Sequence, residues 1–154
     1  MPRTVAVTER VVPAPPDRVF AVLSDGWSYS DWVVGTAHIR DVDPGYPAPG
    51  TTIHHKAGPW PFSLRDKSVV LECEPGRMLY LRVGLWPLGE GLVRLTLAPI
   101  GGTSTRVKMD EEPADGPLHW LHTKANDLLL HRRNKESLRR LGDLAERRAA
   151  RVRS

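Results

Sequence analysis

The stretch Met78–Glu111, MLYLRVGLWPLGEGLVRLTLAPIGGTSTRVKMDE, decides the architecture. Leu79, Leu81, Val83 and Leu85 occupy every second position, and Val93, Leu95 and Leu97 do the same after Gly89-Glu90-Gly91. Successive side chains of a strand point to opposite faces, so this period of two describes strands covered on one side. Beyond Gly101-Gly102, the run Thr103–Glu111 puts Val107, Met109 and finally Glu111 on one face. The connections are short and glycine-rich, which favours antiparallel hairpins. A sheet with one apolar face needs a second layer over that face.

Upstream, turn signals at Pro44-Gly45, Pro49-Gly50, Gly58-Pro59 and Pro75-Gly76 separate three more strand-length runs, His38–Asp43, Thr51–Ala57 and Ser63–Cys73. Downstream of Pro113 and Pro117 the period changes. Leu118, Leu121, Ala125 and Leu128 follow helical spacing, and Leu138, Leu141 and Ala145 resume it. The pattern predicts one long helix over about 118–150, which at ~1.5 Å per residue is long enough to cross a whole domain. Between the two apolar sets, HRRNKES (His131–Ser137) is polar. Either the helix leaves the sheet there, or a charge such as Arg132 is paired inward. At the other end, Thr4–Val12 reads as a strand with Val5, Val7 and Val11 on one face. Pro16-Asp17 then opens a short helix with Val19, Phe20, Val22 and Leu23 as its apolar face. Asp25-Gly26 breaks it, and Ser28–Gly35 reads as a second short helix capped by Ser28 or Ser30.

The chain has 154 residues, which fits a single domain over 1–154, since domains cluster near about 100–150 residues. Cys73 is the only cysteine, so neither an internal disulfide nor a cysteine-based metal site is expected, in keeping with a reducing cytoplasm. The N-terminal residues lack a signal-peptide apolar run, and no stretch approaches the ~20 apolar residues of a membrane helix. A cytoplasmic protein without membrane insertion is expected. The net charge is +4, unevenly spread: His131–Ser154 holds nine Lys/Arg against three Asp/Glu, an excess of six, which leaves residues 1–130 at −2. A basic helix end suits either a phosphate-bearing partner or a solvated face complementing the helix dipole.

The order is strand, two short helices, six strands, long helix. Together with PAPPDRVFAVLSD and the WSYSDWVVG segment, PAPGTTIHH, LECEPGRMLYLRV, GGTSTRVKMDEEP and SLRRLGDLAERR, it resembles the START/birch-allergen superfamily, in particular its polyketide cyclase/dehydrase-like branch. The resemblance implies an α+β helix-grip fold, with a curved antiparallel sheet of about seven strands wrapped around the C-terminal helix. It further implies a cavity between sheet and helix for a small hydrophobic molecule, such as a lipid or an aromatic polyketide. None of the matching segments is a catalytic signature.

Five of the ten aromatic residues are Trp. Trp60 and Trp86 stand beside prolines at strand-to-turn junctions, Trp27 and Trp32 bracket the second short helix, and Trp120 begins the long one. An indole offers a large apolar face and one donor, which suits a pocket wall, although core packing uses it equally. Trp32, Trp60, Trp86, Met109, Trp120 and Leu121 are the candidate ligand-lining residues. Of the adjacent His54 and His55, alternation with Ile53 inward sends His55 into the cavity and His54 outward. Glu111, inward with Val107 and Met109, is expected to have a raised pKa in an apolar cavity and to serve as an acid or an anchor. Tyr80, Arg82 and Arg94 fall on the outer face. His119 and His122 share a helix face, but no third ligand is spaced with them, so no metal and no cofactor is expected.

No G-x-S-x-G elbow, phosphate-cradling loop or dinucleotide fingerprint occurs, and Gly89, Gly91, Gly101 and Gly102 fit hairpin turns. Three functional classes follow. The first is a binding protein for a small hydrophobic molecule, working as a monomer or homodimer. The second is a polyketide cyclase, aromatase or dehydratase with His55 as base and Glu111 as proton donor or anchor. The third is an interaction protein using the basic helix end. Nucleic acid is not an expected partner, because the body of the domain is slightly acidic and no recognition motif accompanies the basic end.

Overall fold

The computed structural model describes residues 6–34, 36–57, 64–84, 90–113 and 124–153. The elements are β1 (Ala6–Val12), α1 (Pro16–Leu23), α2 (Tyr29–Trp32), β2 (Thr36–Val42), β3 (Thr52–Ala57), β4 (Leu64–Glu74), β5 (Met78–Gly84), β6 (Glu90–Ile100), β7 (Ser104–Pro113) and α3 (Lys124–Arg153). The seven strands form one antiparallel sheet in the order β1-β7-β6-β5-β4-β3-β2. Strands β2 to β7 run as a meander, and β1 crosses over to pair with β7. Helix α3 lies against β1, α1 and α2, on the sheet's apolar side. This is the two-layer α+β helix-grip arrangement that the sequence pattern requires.

The register fixes which side chains face α3. Leu79 pairs with Leu95, Leu81 with Val93, Leu95 with Met109 and Leu97 with Val107. All of these are buried, and with Leu138, Leu141 and Ala145 of α3 they make one continuous core. Each fully buried aliphatic side chain contributes about 1.5–3 kcal/mol, so this layer dominates the stability of the domain. The outer face carries the partners of opposite parity. There Arg94 lies 4.3 Å over the Tyr80 ring, and Arg82 bonds Glu90 at 2.9 Å.

Two expectations are corrected. In β1, Thr8 and Val12 are buried, whereas Val7 and Val11 are about half exposed at 47% and 53%. Pairing of Thr8 with Met109 and of Val12 with Thr105 sends the even positions inward. Valines at both 11 and 12 make the alternation of this strand ambiguous by itself. The second short helix is also shorter than Ser28–Gly35. It consists of a 3-10 turn at Gly26–Ser28 followed by a single α-turn, and Val33 is already extended. Asp25 caps the 3-10 turn by accepting from the Trp27 N–H, while the Ser28 hydroxyl donates back to the Val22 and Asp25 carbonyls.

Close approach and polar ties hold the helix in place. A Cβ at Gly142 would lie 3.3 Å from Val12, so this glycine lets α3 settle on β1. Arg148 donates to the Ala21 carbonyl and to Asp25, tying the end of α3 to the α1 corner. Nearer the middle of the helix, the Ser137 hydroxyl accepts from the Val34 N–H at 3.1 Å.

Candidate functional site

The residue spacing of α3 keeps one face toward the sheet through positions 134, 137, 138, 141 and 145, all of them buried. The last three positions are apolar, but the first two are Asn134 and Ser137, beside the half-buried Arg133. The inward stripe therefore turns polar for its N-terminal part, where the helix roofs a cleft. The floor is Leu81 and Val83 of β5, Val93 of β6, and Met109 and Glu111 of β7, and the side wall is Tyr29, Trp32, Val33 and Val34. The enclosed room is about 20 Å³, enough for one water-sized group.

At the polar end, Arg133 Nη2 donates to Glu111 Oε1 at 2.6 Å and to Asn134 Oδ1 at 3.4 Å. The charge turned inward from HRRNKES is thus Arg133; Arg132 is exposed. The Glu111 side chain is only 4% exposed and that of Arg133 16%, so this is a buried ion pair. Gly91 makes room for it. The residue lies within β6 and not in a turn, and a Cβ there would sit 3.1 Å from Glu111 Oε1. Glycine inside a strand signals such close approach. Glu111 Oε2 and Asn134 Nδ2 are buried and have no hydrogen-bond partner among the described residues.

His55 is fully buried but is not among the residues that line the cleft, contrary to the expectation that it faces the cavity, while His54 bonds Asp43 at the surface at 2.9 Å. His55 Nε2 lies 3.0 Å from Ser68 Oγ, and that oxygen lies 2.8 Å from the Tyr29 hydroxyl. The Tyr29 ring stacks on His55 with centroids 5.5 Å apart and meets Trp32 edge-on at 5.7 Å. This chain connects the imidazole to the wall of the cleft through two hydroxyls. It has two consistent polarities, with protons directed from Tyr29 toward His55 or the reverse. Burial pushes the Tyr29 phenol well above its usual range, against the opposing hydrogen bond from Ser68, so it stays neutral.

Burial lowers the His55 pKa, with Asp66 nearby acting in the opposite direction. The consequence for stability follows from proton counting. In the unfolded chain the imidazole titrates near its ordinary value of about 6.5, so on acidification the unfolded state takes up a proton that the folded state refuses. Stability is then full above that pH and declines as the pH falls toward the folded value, by at most about 1.4 kcal/mol per pH unit. Urea unfolding of wild type and of His55→Leu between pH 7 and pH 5 checks this. The variant should show a flatter dependence, and equal slopes would remove His55 as the cause.

Met109 and Trp32 line the cleft, whereas Trp27 is 58% exposed on the 3-10 turn. Trp60, Trp86, Trp120, Leu121, His119 and His122 lie outside the described residues. Among the described residues, no group of three His, Cys, Asp or Glu is placed to hold a metal. Tyr29, Ser68, Arg133, Asn134 and Ser137 belong to the site without having been singled out from sequence. Only the polar interruption of the helical stripe pointed toward the last three. In the basic part of α3, Arg139 pairs with Glu136 and Asp143, Arg140 with Glu136, and Arg148 with Asp25. No described helix is long and apolar enough to cross a membrane.

A family model described as polyketide cyclase / dehydrase and lipid transport matches residues 3–146. No curated protein matches in sequence. Among solved structures, a protein from Nitrosomonas europaea superposes with a TM-score of 0.73 at 15% identity, covering 95% of this chain and 96% of its own. The Zhui aromatase/cyclase from Streptomyces sp. R1128 gives 0.69 at 18% identity over 96% of both chains. Ara h 8.0201 gives 0.66 at 13% identity, covering 94% of this chain and 98% of its own. At these identities the likeness is one of fold.

Proposed function

The chain belongs to the polyketide cyclase / dehydrase and lipid transport family, and from that premise we propose that it binds a small hydrophobic molecule between the sheet and α3. The observation that carries this reading is the cleft itself. Its walls are Trp32, Val33, Leu81, Val83, Val93 and Met109, and its one strongly polar end is the Glu111–Arg133–Asn134 group. Apolar walls with a few convergent polar groups are what a binding site for such a molecule requires. The enclosed room takes only one small group of a guest, so the polar end is read as the seat of the guest's head. Titration with naphthalene tests the proposal through Trp fluorescence. Saturable quenching that Trp32→Phe reduces is the expected result, and a linear, non-saturating response would end it.

The Tyr29–Ser68–His55 chain supports a second reading, in which the protein acts on its guest as a cyclase or dehydratase. His55 would serve as the base through Ser68 and Tyr29, with Glu111, held by Arg133, as an anchor. A poly-β-ketone thioester recovered unchanged after incubation favours binding alone. Conversion that His55→Leu abolishes favours catalysis.

A further inference from the structure

From the polar end of the cleft we infer which guests it prefers: apolar molecules bearing a neutral hydroxyl, over the corresponding acids and plain hydrocarbons. The inference rests on the binding reading above and concerns only the head of the guest. Glu111 Oε2 and Asn134 Nδ2 are both buried and without a partner among the described residues. Their residues are 3% and 2% exposed, and both line the cleft. Glu111 Oε1 and Asn134 Oδ1 are already engaged by Arg133 Nη2. One guanidinium nitrogen thus holds a carboxylate and a carboxamide beside each other, leaving one charged acceptor and one donor unmet.

A hydroxyl answers both. Its proton goes to Glu111 Oε2, and its oxygen accepts from Asn134 Nδ2. The enclosed room of about 20 Å³ suits a group of that size. Water has the same chemistry, so the guest's hydroxyl replaces solvent with no loss of hydrogen bonds. Other heads fit less well. A carboxylate offers only acceptors, and its charge would meet Glu111 Oε2. The Glu111–Arg133 pair is neutral as a unit, so no spare positive charge compensates an anion. An ammonium has no acceptor for Asn134. A hydrocarbon leaves both buried groups unmet, which is the costliest arrangement for a polar site.

Naphthalene, 2-naphthol and 2-naphthoate at pH 7 separate these cases, with isotope-labelled protein followed by NMR and the Asn134 side-chain amide as local probe. We expect 2-naphthol to bind about tenfold more tightly than naphthalene, the difference one hydrogen bond to a charged group supplies. It should also shift the Asn134 amide resonances, and 2-naphthoate should bind more weakly than 2-naphthol. In Asn134→Leu, or in Asn134→Ala should the first variant not fold, the ratio of 2-naphthol to naphthalene affinity should fall severalfold, because the hydroxyl oxygen loses its donor and keeps only the bond to Glu111. Equal affinity of 2-naphthol and naphthalene in the wild type would overturn the inference and leave the binding reading standing. So would tightest binding by 2-naphthoate, or an advantage undiminished by removal of Asn134. If none of the three perturbs resonances of the cleft, both readings fall.

Discussion

Replacing Arg133 by methionine is expected to destabilise the domain by about 3–5 kcal/mol, the usual consequence of leaving one member of a buried ion pair without its partner. The reason is local. Glu111 projects from β7 into the cleft with its side chain only 4% exposed, and Arg133 is the cation that reaches it, at 2.6 Å. Methionine has the length to fill the space of the guanidinium stem but offers Glu111 no donor. The double replacement Arg133→Met/Glu111→Leu should recover most of the loss, because removing both charges removes the desolvation cost with them. Urea unfolding of the two single variants and the double variant closes a thermodynamic cycle. A single-variant loss below about 1 kcal/mol would mean that the pair behaves as a solvent-exposed one.

The second large effect is expected at Trp32. Trp32 is 2% exposed, meets Tyr29 edge-on, and lines the cleft. Trp32→Ala should cost about 3–5 kcal/mol, the range for deleting a buried aromatic side chain. Unlike the loss at Arg133, this one should be recoverable with ligand. The vacated space is apolar and close in shape to naphthalene. A guest present at a hundredfold its dissociation constant returns about 2.7 kcal/mol through mass action. Thermal unfolding of Trp32→Ala with and without naphthalene reads both numbers. A variant whose melting temperature ignores naphthalene would show that the neighbouring side chains collapse into the space.

How far the residues announce the fold depends on the strand. In β5 and β6 the unbroken run of alternating aliphatics falls on one parity, so the sequence points Leu79, Leu81, Leu95 and Leu97 inward, and they are buried in the structure. In β1, valines of both parities compete, and the register with β7 decides between them, a long-range effect that no local pattern contains. His55 and Glu111 were legible as inward because Ile53 and Met109 set the parity on either side of them. Their partners were not. Arg133 and Asn134 sit in a polar run whose inward member depends on the exact rotation of α3, and Arg132 was the reading one position away. Tyr29 and Ser68 are joined across 39 residues of sequence, a contact between α2 and β4 that no local pattern contains. Gly91 looked like turn punctuation, and its service to the Glu111 carboxylate emerges only once β6 and β7 lie side by side.

The covering of the sheet by a helix that follows all the described strands has a consequence during synthesis. Every described strand has been made by Pro113, yet the helix that seals their inner surface, Lys124–Arg153, is still to come. At translation speeds of about 5–20 residues per second, a nascent chain displays an open apolar trough for several seconds. That interval is when a chaperone has most to protect and when neighbouring nascent chains are most prone to stick. Ribosome stalling within the final helix should therefore lower the soluble yield far more than stalling in any earlier hairpin.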